Sequence, residues 1–280
     1  MKRIISHMPV WIKICSCIFI LISLAALFAD LLMPYNPDAT SLLERNLPPV
    51  FMGGKMAHIF GTDELGRDIL SRIFYGTRIS LGMTMFGIII GGSIGVLMGL
   101  SAGYIGGLWD RFVMAIIDFQ QSVPFTLIIM LGVVIFGRSI PVLMCFIGMA
   151  KWEYYAKFIR STVLGIKEKQ FIEAARSYHA SDLRIIFKYI FPNVLPSLIV
   201  AISLSFPSVL MLESSLTFIG IGVQPPTATL GQMVGSGRNY LVVTPWLCLV
   251  PAAVIVVLSY CVQQVGEWMR DEMDIRLLKD

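Results

Sequence analysis

The sequence predicts an all-α integral membrane protein, and its composition carries that prediction. Hydrophobic side chains make up 56% of the 280 residues and charged side chains only 14%, and the mean hydropathy is +0.76. An ordinary soluble domain is about half apolar and about a quarter charged. Because one membrane-crossing helix needs about 20 mostly apolar residues, the chain holds several crossings and has little length left for a soluble domain.

Six apolar runs are long enough to cross a bilayer, and we expect about six transmembrane helices. The runs are 11–33, 80–104, 112–136, 140–158, 194–221 and 242–265. The first run follows basic residues as a signal peptide would, but it is longer than a usual signal core and has no A-x-A-like cleavage site. We therefore expect residues 1–79 to form an uncleaved anchor helix with an outer loop, and residues 80–280 to form the core transmembrane domain.

The distribution of Lys and Arg predicts which side of the membrane each loop occupies, because cytoplasmic loops are enriched in both. The basic residues expected inside are Lys2, Arg3, Lys13, Arg111, Lys151, Lys157, Arg160, Lys167, Lys169, Arg176, Arg184, Lys188, Arg270, Arg276 and Lys279. Those expected outside are Arg45, Lys55, Arg67, Arg72, Arg78, Arg138 and Arg238. This bias predicts cytoplasmic termini, outer loops at about 34–79 and 222–243, and one large inner loop at about 159–193.

The inner loop contains a predicted helix-turn-helix. Residues 171–178 are good helix formers, and 179–182 offer a turn and an N-cap for a second helix. A second helix over 183–190 then runs into Pro192. Periodicity alone favours a solvated connection over a functional element for such a basic hairpin.

A family resemblance adds a function to this loop. Glu173-Ala174-Ala175, followed by the run 190–193 (Ile-Phe-Pro-Asn), resembles the EAA loop of binding-protein-dependent ABC importer permeases. The resemblance implies that the loop is a coupling helix seated on a cytoplasmic ATPase. The residues that it implies for this contact are Glu173, Ala174, Ala175, Arg176 and His179. The family usually has Gly where this chain has His179, so a left-handed turn there would carry a side chain, and we expect altered coupling geometry.

The outer loop contains a second resemblance, which is more specific. Its sequence from Phe60 to Asp68 is similar to the FGTDxxGRD segment of the dipeptide/oligopeptide/nickel permeases. The motif residues are Gly61, Thr62, Asp63, Gly66, Arg67 and Asp68. Alternating acidic and basic side chains favour an ion-paired, turn-rich plug. The alternative is contact with a docking solute-binding protein or with the mouth of the translocation pathway.

The carboxyl-terminal part of the chain is similar to the same branch over 213–226 and at Thr244-Pro245-Trp246. Within this part, Glu213 is an ionisable residue in a predicted crossing, and Asp118 is another in the third run. Such residues face protein or water. Glu213 could line the solute pathway or hold helices together through Ser and Thr neighbours, and for Asp118 we favour a structural role.

Glycines recur at every fourth position of the second run, at Gly87, Gly91, Gly95, Gly99 and Gly103. A stripe of small residues lets another helix approach closely. We interpret it as a packing surface, although a sliding contact in alternating access would use the same smooth face.

The sequence has no signature of catalysis or of a bound cofactor. It lacks a G-x-x-x-x-G-K-[ST] loop, so ATP would be bound by separate subunits. His, Cys and acidic residues show no spacing typical of a metal site or a catalytic triad. Because no catalytic spacing is present, we expect no enzymatic activity. The net charge of +4 comes from basic residues placed by loop orientation, so we expect no nucleic-acid binding.

Together these resemblances imply a permease of type I ABC importer architecture, the C-type member of its pair, in the bacterial inner membrane. The implied partners are a second homologous permease, two ABC ATPase subunits, an extracytoplasmic solute-binding protein and membrane lipid. Dipeptides, longer peptides, glutathione-like peptides, nickel and other metal chelates all remain open as solutes. The alternative class is an ion-gradient-driven transporter or channel, with Glu213 or Asp118 as its cation site.

Overall fold

The computed structural model describes residues 8–277, with side chains described as far as Met273. Within that range every regular element is a helix. The twelve α-helices are α1 (Val10–Leu27), α2 (Ala29–Leu32), α3 (Ile69–Ile105), α4 (Gly107–Ser122), α5 (Phe125–Phe136), α6 (Ile140–Met149), α7 (Trp152–Lys167), α8 (Gln170–Ser177), α9 (Asp182–Ile185), α10 (Phe191–Phe218), α11 (Leu230–Gly237) and α12 (Trp246–Leu277). Both chain termini lie outside the described residues. The same holds for four basic groups that were used to predict orientation, namely Lys2, Arg3, Lys279 and the Arg276 side chain.

Four helical segments among the described residues are long and apolar enough to cross a membrane, or five if one bent pair is a single span. They are Val10–Leu27, Ile69–Ile105, Asp182–Phe218 and Trp246–Met273. The expected count of six is therefore not confirmed. The bent pair is α4 and α5, which meet at 84°. Pro124 explains that break, because the residue before a proline avoids the helical region, and Val123 is extended (φ −111°, ψ 132°).

The predicted fourth crossing, 140–158, is also interrupted. α6 ends at Met149 and α7 begins at Trp152, with Lys151 between them at φ −124° and ψ −4°. α6 and α7 are 10 and 16 residues long, so neither spans a bilayer alone. Lys151, which the sequence predicts on the inner side, lies at this interruption.

The glycine stripe of α3 is a packing surface for α6 and α7. A Cβ atom on Gly91 would lie 2.6 Å from the carbonyl oxygen of Gly148, and one on Gly95 would lie 2.5 Å from the Cβ of Tyr155. All five stripe glycines meet side-chain or backbone atoms of 147–163 in this way. The absence of side chains therefore lets the three backbones approach closely, as the packing interpretation requires.

The remaining long helices, α10 and α12, pack on each other and on α1 around a buried apolar cluster. Residues 34–68 and α11 cover the end of the bundle where α3 begins, which we call the α11 end. α8 and α9 lie where α3 finishes, which we call the α8 end. Each group of motif residues identified in the sequence therefore lies at one end of the same long helix.

Candidate functional site

The α8 end presents an amphipathic helix. Ile172 and Ala175 are buried, and they join the apolar cluster formed by α7 and α10. Glu173, Ala174 and Arg176 are exposed. Residues three apart share a helix face, so one face of α8 is fixed to the bundle while Glu173 lies on the exposed face.

A left-handed residue ends this helix. His179 has a φ of 56°, and its backbone N–H donates to the Arg176 carbonyl at 2.8 Å. The N–H of Ala180 donates to the Ala175 carbonyl at 3.1 Å. These two bonds form the Schellman motif, in which Gly usually occupies the left-handed position. The turn that Gly would supply is therefore present with His in its place.

Tyr104, in the last turn of α3, connects that helix to α7, α8 and α9. Its hydroxyl donates to Asp182 at 2.5 Å, and its carbonyl accepts a 2.5 Å bond from the Lys167 ammonium. The Arg176 guanidinium lies 5.9 Å from the centre of the tyrosine ring. Tyr104 thus contacts residues of α7, α8 and α9. Sequence reasoning missed it, because an aromatic residue at the end of an apolar run carries no motif.

Ion pairs fasten α4 along α7. The guanidinium of Arg160 donates two hydrogen bonds to the Asp110 carboxylate, one of 2.6 Å from Nη2 and a shorter one from Nε. The ammonium of Lys157 lies 3.1 Å from Asp118 and 2.7 Å from the side-chain oxygen of Gln121. Asp118, which the sequence singled out, is two-thirds exposed and paired. Its contacts are those of a surface ion pair between helices.

The outer-loop motif at the α11 end is folded around Asp63. One carboxylate oxygen accepts from the backbone N–H groups of Leu65 and Arg67, and the other accepts from Arg67 Nε at 2.7 Å. Asp63 and Arg67 are both buried. A carboxylate that accepts two backbone bonds and one charge-assisted bond fixes a tight turn as well as an ion pair.

Asp68 caps α3 and does not pair with an arginine. Its carboxylate accepts from the backbone N–H and the hydroxyl of Ser71, at 2.8 and 2.7 Å. Its second oxygen lies 2.9 Å from His58 Nδ1. The position is that of an ordinary acidic N-cap, which satisfies one of the free N–H groups at the start of the helix.

Gly61, Thr62 and Gly66 permit the close folding of this loop. Gly61 and Gly66 have φ values of 81° and 74°, and a Cβ on Gly66 would lie 1.8 Å from the Ser41 carbonyl oxygen. The Thr62 hydroxyl donates to the Glu44 carbonyl and accepts from the Leu47 N–H. The motif residues therefore hold residues 41–47 against 61–68.

Arg72, one turn into α3, joins the two outer loops. Its guanidinium donates to the Pro37 carbonyl at 3.0 Å and to the Gln232 side chain at 3.1 Å, and it lies 3.6 Å from Asp63. Arg72 is 2% exposed. Gln232 belongs to α11, so this single side chain fixes the first outer loop to the second. Gln232 had no sequence signal, because an uncharged polar residue in a loop matches no motif.

Glu213 lies inside the subunit. It is 1% exposed, and its carboxylate accepts bonds from the hydroxyls of Ser214 and Thr217 at 3.2 and 3.3 Å. The Ser80 and Thr229 hydroxyls lie against it from α3 and from the residue before α11. A residue enclosed by its own subunit cannot line a pathway along the subunit's surface. These contacts favour the helix-packing alternative.

Comparisons of the sequence with protein families and curated proteins agree with each other. Residues 95–273 match the family described as binding-protein-dependent transport system inner membrane component. Residues 13–49 match the N-terminal TM domain of oligopeptide transport permease C. The chain is 36% identical over 257 residues to the oligopeptide transport system permease protein OppC of Escherichia coli (strain K12), which covers 92% of this chain and 84% of that protein.

Two further relatives have names that indicate other peptide solutes. The dipeptide transport system permease protein DppC of Bacillus subtilis is 35% identical, over 93% of this chain and 81% of that protein. The glutathione transport system permease protein GsiD of Pectobacterium atrosepticum is 33% identical, over 95% of this chain and 87% of that protein.

The fold has counterparts among solved structures. A chain of the MetNI methionine ABC transporter in an inward-facing conformation aligns with a TM-score of 0.55. The alignment covers 72% of this chain and 95% of that chain, at 22% sequence identity. At this identity the likeness concerns the fold alone.

Proposed function

The chain belongs to the family of binding-protein-dependent transport system inner membrane components, and on that premise we propose that it translocates peptides as the permease subunit of an ATP-driven importer. The names of its relatives support the solute class, because they are oligopeptide, dipeptide and glutathione transport permeases. We propose that both termini are cytoplasmic, which makes the α8 end the cytoplasmic end.

The observation that carries the proposal is the amphipathic construction of α8. Its buried face is anchored to the bundle, and its outer face presents Glu173 beside exposed apolar residues. These apolar residues are Phe171 in α8 and Tyr178 directly after it. A short rigid helix with an apolar rim and a central carboxylate suits docking into a groove of another protein.

The mechanism follows from this attachment. Closure of two ATPase subunits on ATP would displace α8. The displacement would pass into α3 and α7, since both contact α8 and α9. The permease and a second homologous permease would then open outward to a solute-binding protein docked at the α11 end. Hydrolysis would return the pair to the inward-facing state. ATP is bound by the partners in this scheme, and the present chain binds no cofactor.

Purification of the tagged chain from native membranes in mild detergent tests this assembly. We expect P-loop ATPases and a second multi-span protein to accompany it. The reconstituted complex is then assayed for ATP-dependent uptake of a radiolabelled tripeptide. Recovery of the chain alone, together with uptake that follows an ion gradient and ignores ATP, would contradict the proposal.

The variant Glu173→Lys separates coupling from assembly. We expect it to insert and to retain ATP hydrolysis while losing uptake, because a lysine reverses the charge at the centre of the docking face. The matched control is Glu168→Lys, which makes the same charge change at an exposed position just before α8. Normal uptake by Glu173→Lys would show that α8 is not the coupling contact.

A further inference from the structure

A cleft opens where the two helix interruptions meet α10. It has a volume of about 750 Å³ including its open mouth. It lies between the first residues of α5, the α6–α7 break and one face of α10. Its lining combines one cation with three hydroxyls and apolar side chains, represented by Lys151, Thr126, Ser208, Ser215, Phe125 and Met211. Sites at converging helix breaks near the bilayer midplane are typical of transporters.

Lys151 lies at about mid-depth in the membrane. A Cβ on Gly91 would be 3.4 Å from the backbone nitrogen of Trp152, the residue next to Lys151. At about 1.5 Å per residue, Gly91 is about 16 Å along α3 from Ser80, where the apolar run of that helix begins. The hydrocarbon core is about 30 Å thick, so this level is close to its centre.

The Lys151 ammonium has no counter-ion within ion-pair distance among the described residues. The nearby basic residue Lys157 pairs with Asp118, but Lys151 makes no such contact. The Glu153 carboxylate interacts with Lys151 only through space, beyond the 4.0 Å of an ion pair. An unpaired cation in the middle of a bilayer is unfavourable, and such residues mark substrate or ion pathways.

The α10 wall of the cleft is a continuous face. Ser208, Met211 and Ser215 recur at helical spacing, and all three are exposed on the subunit. Glu213 lies off this face and is buried. The Ser208 hydroxyl donates to the Ser205 carbonyl of its own helix at 2.7 Å. Hydrocarbon offers no partner to the Lys151 ammonium at this depth, so this face is turned towards a water-filled space.

We propose that this cleft is a peptide-binding subsite in which Lys151 binds the carboxylate of the transported peptide and the hydroxyls bind its backbone. The inference rests on the proposed function and adds a second site of peptide selection, within the permease itself. The carboxyl terminus is common to peptides of any sequence. A lysine is a compact charge on a flexible stem, which accommodates different peptide lengths, and Met211 adapts to different side chains.

Uptake of trialanine and of its C-terminal amide by the complete reconstituted complex tests the subsite. Each peptide is supplied at a concentration that saturates the binding protein. We expect Lys151→Met to lower trialanine uptake about ten-fold, because it removes a charge-assisted hydrogen bond, and to leave amide uptake unchanged. Lys151→Arg should keep most of the uptake. The control Lys13→Met makes the same substitution at an exposed position on α1.

The same binding protein is present with every variant, so its own preference cancels when each variant is compared with the wild type. Unchanged trialanine uptake by an assembled Lys151→Met complex overturns the subsite, and so does an equal loss for both peptides. If Lys151→Met does not assemble with the ATPases, Lys151→Gln provides the same comparison. If the wild-type complex imports neither peptide, the proposed function fails and the subsite fails with it.

Discussion

The Tyr104 hydroxyl, at the end of α3, donates a 2.5 Å hydrogen bond to the Asp182 carboxylate at the start of α9. Apolar contacts allow neighbouring helices to slide, whereas a hydrogen bond to a charged group has a direction and a length. Lys167 adds a bond to the carbonyl of the same tyrosine. The start of α9 and the end of α7 are therefore bonded to α3, which runs from the α8 end to the outer loops.

Tyr104→Phe tests whether the hydrogen bond from Tyr104 to Asp182 transmits motion between α9 and α3. The substitution removes the bond to Asp182 and keeps the ring that contacts Arg176. We expect a several-fold fall in peptide imported per ATP hydrolysed, with assembly unchanged, because a hydrogen bond to a charged group contributes about 1.5–3 kcal/mol. Tyr260→Phe, at an exposed position of α12, is the control. If the transport ratio of Tyr104→Phe equals that of Tyr260→Phe, the bond is only structural.

Gly95→Ala tests the packing of α3. The added methyl group would lie 2.5 Å from the Tyr155 Cβ and 2.6 Å from the Trp152 carbonyl oxygen. We expect destabilisation of about 1–3 kcal/mol, measured as a lower Tm of the purified chain in detergent. Gly92→Ala is the matched control on the same helix, since nothing lies within 4 Å of its added methyl group. Equal Tm values for the two variants would contradict the close approach of α7.

Arg72→Gln tests the link between the outer loops. It leaves the Asp63 carboxylate with one guanidinium fewer and detaches Gln232 from the first loop. We expect a loss of about 3–5 kcal/mol, because the partners of a buried charge stay unpaired, and faster proteolysis within residues 34–68. Arg45→Gln is the control, as Arg45 is exposed and makes one 2.8 Å bond to the Glu64 carbonyl. Proteolysis at the same rate in both variants would show that Arg72 does not hold the two outer loops together.

His179→Gly tests the left-handed turn after α8. Glycine adopts positive φ without the steric cost that histidine bears at 56°. We therefore expect slower hydrogen exchange of the Ala180 amide, which donates into the turn, and faster exchange in His179→Val, because a β-branched residue is a poor fit there. The order Gly, His, Val should hold. Fastest exchange in the glycine variant would argue that the imidazole itself stabilises the turn.

The sequence predicted the helical membrane fold because apolar runs and periodic glycines are local signals. The break at Lys151 was not predicted, because the aromatic and aliphatic residues of 152–159 extended the apolar run across it despite Glu153 and Lys157. Asp63 and Arg67 were identifiable from their alternating charges, four residues apart. Their connection to Gln232, through Arg72, joins residues far apart in the chain and depends on tertiary packing.

The glycine stripe also sets an order of events during biosynthesis. Gly95 is translated well before Tyr155, and at roughly 5–20 residues per second the interval lasts several seconds. Throughout that interval the stripe faces lipid or the insertion machinery, because α7 does not yet exist. α3 must therefore enter the membrane on its own hydropathy, and the tight packing follows only when the later helix arrives. A ribosome stalled before Trp152 would hold a nascent chain whose longest helix still lacks its partner.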